Sequence, residues 1–222
     1  MSAFAALLFA APFQAAVAQT APSLGTARSF AVLSGAAVTC TDSTIIGGVG
    51  SSAPGGPVTR TGCTIDRAVQ AGDESAVAAS NDFLAAYDTL AALPPAQCDA
   101  LLSGTLADVS LPPGVYCFPA AATLTGQLTL DGPANGVWIF RIGTGGTGAL
   151  TGTNFSVVMA GGGLACNVYW WVADAATMTT SHVQGTILAG AATTFTGGTL
   201  IGRNLAKGAV TSTGDIFSVC SP

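Results

Sequence analysis

The pentapeptide Ala-x-Thr-x-Thr recurs along the chain and constrains the fold more than any other feature of the sequence. It occurs six times, with start-to-start separations of 84, 28, 26, 17 and 17 residues. The six segments are Ala37–Thr41, Ala121–Thr125, Ala149–Thr153, Ala175–Thr179, Ala192–Thr196 and Ala209–Thr213. Between them, short apolar runs alternate with Gly-rich turns. Three short strands in every repeat of 17 to 28 residues predict one triangular coil of a β-solenoid.

Strand alternation predicts that the repeated threonines share one side of the coils. Alternate residues of a strand face opposite sides, and the second and fourth positions of the segments are mostly apolar, so they should point inward. The third and fifth positions are Thr in all six segments. The predicted outward residues are Thr39, Thr41, Thr123, Thr125, Thr151, Thr153, Thr177, Thr179, Thr194, Thr196, Thr211 and Thr213. Stacked coils would arrange them as a flat, uncharged grid of side chains that are stiff at χ1.

A solvent-exposed face without any ligand is the alternative interpretation of these threonines, because Thr favours strands in general. A binding face is favoured by the constancy of the two slots, which hold no Lys, Glu, Asn or Ser in any segment. Each Thr offers one methyl group and one hydroxyl. Such a side chain can shelter and anchor a water molecule at a fixed position.

The composition excludes two classes of partner. Charged residues make up 8% of the chain, with six Lys or Arg against eleven Asp or Glu and a net charge of −5. A nucleic-acid binder needs a basic stripe, which six scattered cations do not form. The apolar stretches after the N-terminus are short and broken by Gly, so no membrane-spanning helix is expected. We therefore predict neither a nucleic-acid nor a membrane partner.

The sequence also offers no set of residues for catalysis or for a metal. His182 is the only histidine and is expected to be a solvated turn residue, so neither a Ser-His-Asp triad nor a multi-His metal site can be built. Glycosidases need paired carboxylates. The C-terminal coils carry only Asp131, Asp174 and Asp215, which are widely separated and expected at the surface or in turns. We predict no enzyme activity, no cofactor and no metal.

One long helix is predicted to interrupt the β pattern, from Asp73 to about Leu93. Asp73 can cap it, Glu74 suits its first turn, and Pro94-Pro95 end it. Its predicted apolar side contains Val77, Phe83, Leu84, Tyr87 and Leu90.

Six cysteines in no CxxC spacing indicate disulfides and an oxidising compartment. Six cysteines allow fifteen pairings, among which the sequence does not choose. Our hypothesis is Cys40–Cys63 and Cys98–Cys117, because each pair closes a short loop, with Cys166–Cys220 following by elimination.

The N-terminus has the pattern of an export signal over residues 1–18. Ala3–Ala11 is an apolar run of signal-peptide length, and Ala16-Val17-Ala18 fits the cleavage pattern, so the mature protein would start near Gln19. The expected cationic start is missing, since the first basic residue is Arg28. Residues 19–222 are expected to form one secreted, monomeric domain, for which we expect no sortase-type anchor.

Six stretches outside the Thr motif share a pattern with a known family: Leu24–Leu33, Leu111–Tyr116, Val137–Ile142, Ala165–Trp170, Gly185–Ala189 and Ile201–Ala206. They resemble the microbial ice-binding protein family, also called the ice-binding-like adhesive domain, whose fold is a discontinuous β-solenoid. The stretches occur in the family's order and cover almost all of the chain from Leu24 to Phe217.

The resemblance implies a fold and a functional face. The fold class is mainly β: a triangular, right-handed, discontinuous β-solenoid with one long α-helix along a flank. A segment of about 44–113, containing the helix, would be inserted before the main coils as a cap. The first coil would pack beside the last, which places Thr39 and Thr41 next to Thr211 and Thr213. In such proteins the strand that aligns with the Ala-x-Thr-x-Thr segments contacts ice, so the resemblance implies this role for the twelve threonines.

The function that these observations predict is adsorption to an ice crystal surface, which inhibits ice growth and recrystallisation. The runner-up is an extracellular adhesion or carbohydrate-binding module on the same fold. Trp138, Trp170 and Trp171 could form a sugar platform, but alternation places Trp138 and one of the pair in the core. Asn154-Phe155-Ser156 is a glycosylation sequon that we expect to be unmodified, because a glycan beside Thr153 would hinder a flat contact.

Overall fold

The computed structural model describes residues 19–54 and 56–220, and its regular structure there is almost entirely β. The strands are β1 Phe30–Ser34, β2 Val38–Thr41, β3 Thr44–Ile46, β4 Gly48–Ser51, β5 Val58–Thr61, β6 Thr64–Ile65, β7 Val69–Ala71, β8 Ala100–Leu101, β9 Val109–Leu111, β10 Gly114–Phe118, β11 Ala122–Asp131, β12 Trp138–Ile142, β13 Leu150–Ala160, β14 Val168–Val172, β15 Ala176–Thr179, β16 His182–Ala189, β17 Thr193–Thr196, β18 Thr199–Ala206, β19 Val210–Thr213 and β20 Ile216–Ser218. The helix α1 spans Glu74–Ala91, and short 3₁₀ helices span Gly25–Ser29, Pro95–Gln97 and Ala165–Asn167.

All strand pairs are parallel and fall into three ladders, to which successive coils each add strands. The Thr ladder runs β11–β13–β15–β17–β19–β2–β5 in space. The second ladder runs β9–β11–β13–β16–β18–β20–β3–β6. The helix ladder runs β8–β10–β12–β14–β16–β18–β1–β4–β7. This architecture confirms the predicted mainly β solenoid with one helix.

The solenoid is discontinuous, because its first and last coils are neighbours. The C-terminal strands β18, β19 and β20 pair with the N-terminal strands β1, β2 and β3. Thr211 lies opposite Thr39 and Thr213 opposite Thr41, as the resemblance implies. The 84-residue gap in the repeat therefore does not interrupt the ladder in space.

Residues 44–71 differ from the expected inserted cap. The five strands β3 to β7 occupy this segment and continue all three ladders beyond the first coil, with β2 paired to β5, β3 to β6 and β4 to β7. Only the later part of the expected 44–113 insertion, with α1, lies outside the coils, while β8 and β9 join the opposite end. The difference arises because strands of two to four residues leave almost no periodic signal in the sequence.

Large aromatic side chains fill the interior of the coils. The Phe140 and Trp170 rings stack with their centroids 4.0 Å apart, and Phe155 meets Trp170 edge-on at 6.1 Å. The indole nitrogens of Trp138 and Trp170 donate to the carbonyls of Leu111 and Gln184, at 3.0 and 2.9 Å. Both tryptophans are fully buried, so the predicted core positions are confirmed.

Helix α1 covers the helix ladder. The Asp73 carboxylate caps it by accepting a hydrogen bond from the Ala76 amide at 2.8 Å. The buried side of the helix contains Ala76, Ala79, Ser80, Phe83, Ala86, Tyr87 and Leu90. Val77, which we expected on that side, is 41% exposed. Alanines rather than larger residues occupy the first two buried positions of the helix, Ala76 and Ala79.

The structure joins the six cysteines in the three pairs of our hypothesis, two from loop spacing and the third by elimination. They are Cys40–Cys63, Cys98–Cys117 and Cys166–Cys220, with Cα–Cα distances of 5.8, 5.8 and 5.5 Å. Cys40–Cys63 links the first coil covalently to the next one. Cys166–Cys220 links the C-terminal end to the segment that follows β13. Within residues 19–54 and 56–220, no helix has the length and apolar character to cross a membrane. The predicted signal peptide, residues 1–18, lies outside the described residues.

Candidate functional site

The predicted alternation of the Thr strands is present in the structure. None of the twelve predicted outward threonines is buried. The twelve residues in the second and fourth positions of the segments are all buried: Val38, Cys40, Ala122, Leu124, Leu150, Gly152, Ala176, Met178, Thr193, Phe195, Val210 and Ser212. The sequence pattern thus separates a packed inner side from an accessible outer side.

The threonines form two straight rows because the strands pair in register. The first row contains Thr123, Thr151, Thr177, Thr194, Thr211 and Thr39. The second row contains Thr153, Thr179, Thr196, Thr213 and Thr41. Strands of one sheet are about 4.8 Å apart, and alternate residues of a strand are about 6.7 Å apart. We call this surface the Thr face.

One of the predicted threonines departs from the grid. Leu124 pairs with Gly152 but Gly126 pairs with Phe155, so Thr125 alone lies opposite the two residues Thr153 and Asn154. This irregularity displaces Thr125 from the second row, and its amide instead donates to the carbonyl of Thr105 at 3.2 Å. The regular part of the second row therefore begins at β13.

The structure adds one pair of threonines that the sequence analysis missed. On β5, Thr59 lies opposite Thr39 and Thr61 opposite Thr41, so both rows continue by one strand. Pro57 takes the place of the motif's Ala, and Arg60 occupies its inward slot. Because β5 is the last strand of the Thr ladder, Arg60 is exposed rather than buried. A search for x-Thr-x-Thr followed by Gly, without the Ala, would have found this segment.

A sharp corner follows the second Thr in every strand of the Thr ladder, and β11 and β13 continue beyond it. The residue after the second Thr has a positive φ in all seven strands, a conformation that favours Gly, Asn and Asp. These residues are Asp42, Gly62, Gly126, Asn154, Thr180, Gly197 and Gly214, with φ between 48° and 71°. Asn154, the acceptor residue of the sequon, is therefore a corner residue at the edge of the Thr face, and it is exposed.

The surface of the Thr face is chemically uniform. Arg60, at its end, is the only charged residue in β2, β5, β15, β17 and β19. The accessible groups of the rows are therefore Thr methyls and hydroxyls, held on paired strands. Such a surface can make many equal, weak contacts with a flat partner, but it holds no group for acid–base chemistry.

The other candidate residues do not come together. His182 is exposed as the first residue of β16, rather than in a turn, and its Nδ1 is 2.9 Å from the Thr199 hydroxyl. Asp131 is exposed, and Asp174 accepts a hydrogen bond from the Gly148 amide at 2.7 Å. In the part of the chain that the structure describes, no three His, Cys, Asp or Glu residues are grouped to hold a metal ion.

Asp215 lies in the corner between β19 and β20, which is one of the two positions that we expected, but it is not at the surface. It is 1% exposed, and its carboxylate lies within 3.0 Å of the Ser212 hydroxyl and 2.8 Å of the Thr213 amide. Burial raises the pKa of this carboxyl, although the hydrogen bonds from Ser212 and Thr213 oppose the shift. Ser43, which comes from the other end of the chain, completes the surroundings, so the local sequence could not reveal this burial.

Comparison with known proteins identifies the family of this fold and face. A family model described as ice-binding-like matches residues 21–216. The chain belongs to the ice-binding-like family. An ice-binding protein of Nostoc sp. (strain HG1) is 38% identical over 209 residues, which cover 89% of this chain and 74% of the relative.

Solved structures of ice-binding-like proteins share the fold. The ice-binding protein from the Antarctic ascomycete Antarctomyces psychrotrophicus superposes with a TM-score of 0.83 at 31% identity, covering 91% of this chain and 100% of that one. An ice-binding protein from an Arctic yeast, whose structure is described as the basis for its antifreeze activity, superposes with a TM-score of 0.77 at 25% identity. That match covers 89% of this chain and 94% of the yeast protein.

Proposed function

We propose that this protein adsorbs to ice through the Thr face and thereby inhibits ice growth and recrystallisation. The observation that carries the proposal is the unbroken register of the threonine rows from β13 through β19, β2 and β5. Membership of the ice-binding-like family supports the same conclusion. The contact residues are the twelve predicted threonines together with Thr59 and Thr61, with Thr125 at an irregular edge.

The mechanism follows from the physical properties of the grid. Each Thr methyl shelters a water molecule while the hydroxyl anchors it, at spacings that the backbone fixes. Because β-branched side chains are stiff at χ1 and the strands are already paired, little ordering is required when the face binds. Many weak contacts then act together as one rigid multivalent patch. Ice growth would be pinned at the adsorbed molecules and would continue only between them.

We further propose that the protein works by binding alone, as a monomer, and outside the cell. The chemical uniformity of the Thr face supports binding without catalysis. The three disulfides support an oxidising compartment, because such bonds are rare in the cytosol. The burial of Trp138, Trp170 and Trp171 weighs against the alternative of a carbohydrate-binding module, because none of them offers a sugar platform.

Nanolitre osmometry on disulfide-bonded protein covering residues 19–222 tests the proposal. We expect a gap between the melting and freezing temperatures and faceted crystals inside that gap. A glycan array on the same protein separates the two functions: glycan binding without any hysteresis gap would contradict the ice-binding proposal and favour the adhesion module.

A further inference from the structure

The Thr face is assembled from two separate parts of the chain. The strands from β11 to β19 belong to consecutive coils, so short corners link each of them to the next coil. By contrast, β2 and β5 come from the N-terminus and join β19 only by pairing. Backbone hydrogen bonds in a parallel ladder repeat every two residues. A slip of two residues at this junction would therefore keep the inward and outward sides but displace both rows by about 6.7 Å.

Buried side chains make hydrogen bonds across this junction at each corner of the coil. The Ser34 hydroxyl donates to the carbonyl of Gly208, and the Arg203 guanidinium donates to the carbonyl of Arg28, both at 2.8 Å. At the corner between the Thr and second ladders, the Ser212 hydroxyl lies 2.8 Å from the Ser43 hydroxyl. The third contact is directly behind the Thr face.

Ser43, Ser212 and Asp215 form a compact buried cluster, with exposures of 2%, 0% and 1%. The Ser43 hydroxyl donates to the carbonyl of Thr41 at 2.9 Å and accepts from the amide of Asp215 at 3.1 Å. On the other strand, the Asp215 carboxylate accepts from the amide of Thr213 at 2.8 Å. The cluster thus joins the backbone at the second-row threonines Thr41 and Thr213, which lie opposite each other.

The polar residue at position 212 departs from the pattern of the inward slots. The fourth positions of the other five segments are Cys40, Leu124, Gly152, Met178 and Phe195. A buried hydroxyl and a buried carboxyl cost free energy unless they are hydrogen-bonded. The Ser212 hydroxyl and the Asp215 carboxylate already contact each other within one coil, at 3.0 Å. Across the junction, Ser43 supplies a second partner for the Ser212 hydroxyl and the acceptor for the Asp215 amide, and a two-residue slip would remove both hydrogen bonds. Buried polar groups of this kind are best known for specifying register.

We propose that the Ser43–Ser212–Asp215 cluster sets the register in which the N-terminal strands continue the Thr face. These three are positioning residues that do not touch ice, and the proposal rests on the proposed function of the face. Removing the cluster should leave the C-terminal strands intact but disconnect β2 and β5 from the grid. The number of coplanar threonines would then fall, and avidity with it.

Three variants and a matched control test the proposal. Ser212→Val gives this slot an apolar side chain like those of the other coils. Asp215→Asn keeps the shape of the side chain and one acceptor oxygen for the Ser212 hydroxyl and the Thr213 amide. Thr193→Val is the control, because Thr193 is a buried inward threonine on β17, away from the junction. The measurements are thermal hysteresis and hydrogen exchange of the amides in 38–61 and 150–196.

For Ser212→Val we expect at least about a twofold loss of hysteresis and faster exchange in 38–61, with 150–196 unchanged. Asp215→Asn and Thr193→Val should retain both properties. Ser43→Ala is a milder change and should also speed exchange in 38–61, with a smaller loss of hysteresis. If Ser212→Val does not fold, Ser43→Ala decides the test.

Retention of both hysteresis and protection in Ser212→Val and Ser43→Ala would overturn the proposal, and so would an equal loss in Thr193→Val. If the unaltered protein shows no hysteresis, the proposed function fails, while the exchange pattern still decides whether the cluster sets the register.

Discussion

The Thr ladder and the second ladder share the same coils but present different surfaces. Both consist of parallel strands in register over one core, so the solenoid supplies both with straight rows. The outward residues of the second ladder are mixed: one row reads Thr64, Thr44, Ile216, Thr199 and His182, and the other reads Ile46, Ser218, Ile201 and Gln184. Three of these are isoleucines with 42 to 51% of their surface exposed.

This difference shows which features of the Thr face come from the fold and which do not. Straightness and spacing come with the coil, because the second ladder has them too. Thr in nearly every outward slot does not follow from strand propensity, because equivalent strands in the same coils use Ile, Ser, His and Gln. The repeated choice of Thr is thus specific to one ladder, as expected if that surface has a function of its own.

The largest effect that we expect is a loss of folding stability from a substitution in the core that both ladders share. Trp170→Ala removes the ring that stacks on Phe140 inside the coil. The free energy of unfolding should fall by about 3–5 kcal/mol, since a buried aromatic side chain and its contacts are lost. Denaturant unfolding with the disulfides intact measures it. The control Val158→Ala, on the exposed side of the second ladder, should stay within about 0.5 kcal/mol. Equal losses for the two variants would contradict a core at Trp170.

A smaller effect separates the methyl and hydroxyl contributions on the Thr face. Thr177→Val keeps a β-branched shape and loses the hydroxyl, whereas Thr177→Ser loses the methyl and regains rotamer freedom. We expect both to lower thermal hysteresis, each by about half, because the contacts act together. Thr129→Val, on the second ladder, is the matched control and should change nothing. If Thr177→Val and Thr177→Ser both behave like the control, the paired role of methyl and hydroxyl is wrong.

A still smaller effect should come from the end of the face. Thr59→Tyr places a bulky ring in the last pair of threonines, where it can block contact at one edge only. Hysteresis should fall by less than about a third, because most of the grid remains coplanar. Full activity would show that β5 does not take part in ice binding, and complete loss would show that the contact is centred there rather than on the C-terminal strands.

The smallest effect is on stability as a function of pH. Burial raises the pKa of Asp215, so the folded state binds this proton more tightly than the unfolded state does. Lowering the pH from neutral through the raised pKa toward the ordinary value of about 3.9 should therefore increase stability. Hydrogen bonds from Thr26 lower the pKa of the partly exposed Asp82, whose contribution to stability is lost only at lower pH.

The test is to measure the melting temperatures of the unaltered protein and of Asp215→Asn at intervals from neutral pH down to about pH 3.9. They show whether acidification raises or lowers stability. Asp215→Asn should lack the rise on acidification. A rise of the same size in both proteins would show that another group is responsible.

The sequence predicted the features that depend on local periodicity. Two-residue alternation and the coil spacing were enough to place the Thr strands and their buried companions, and the end signals at Asp73 and Pro94 bounded α1 to within two residues. The features that were missed depend on partners distant in the sequence. Thr59 and Thr61 were missed because a terminal strand tolerates Pro57 and Arg60.

Burial of Asp215 also depends on a distant partner, Ser43, which lies 172 residues away in the chain. The displacement of Thr125 depends on an extra residue in the neighbouring strand. Neither property has a signal in the local sequence, because both are determined by which strands become neighbours after folding.

One substitution made on each of the two ladders tests whether the Thr face binds ice. Thr194→Tyr lies in the middle of the Thr face, and Thr129→Tyr lies on the second ladder, so the same side chain is added to two strands over one core. We expect thermal hysteresis to be almost abolished in the first variant and retained in the second, with both proteins folded by circular dichroism. Retained activity in Thr194→Tyr, or a loss confined to Thr129→Tyr, would contradict ice binding through the Thr face.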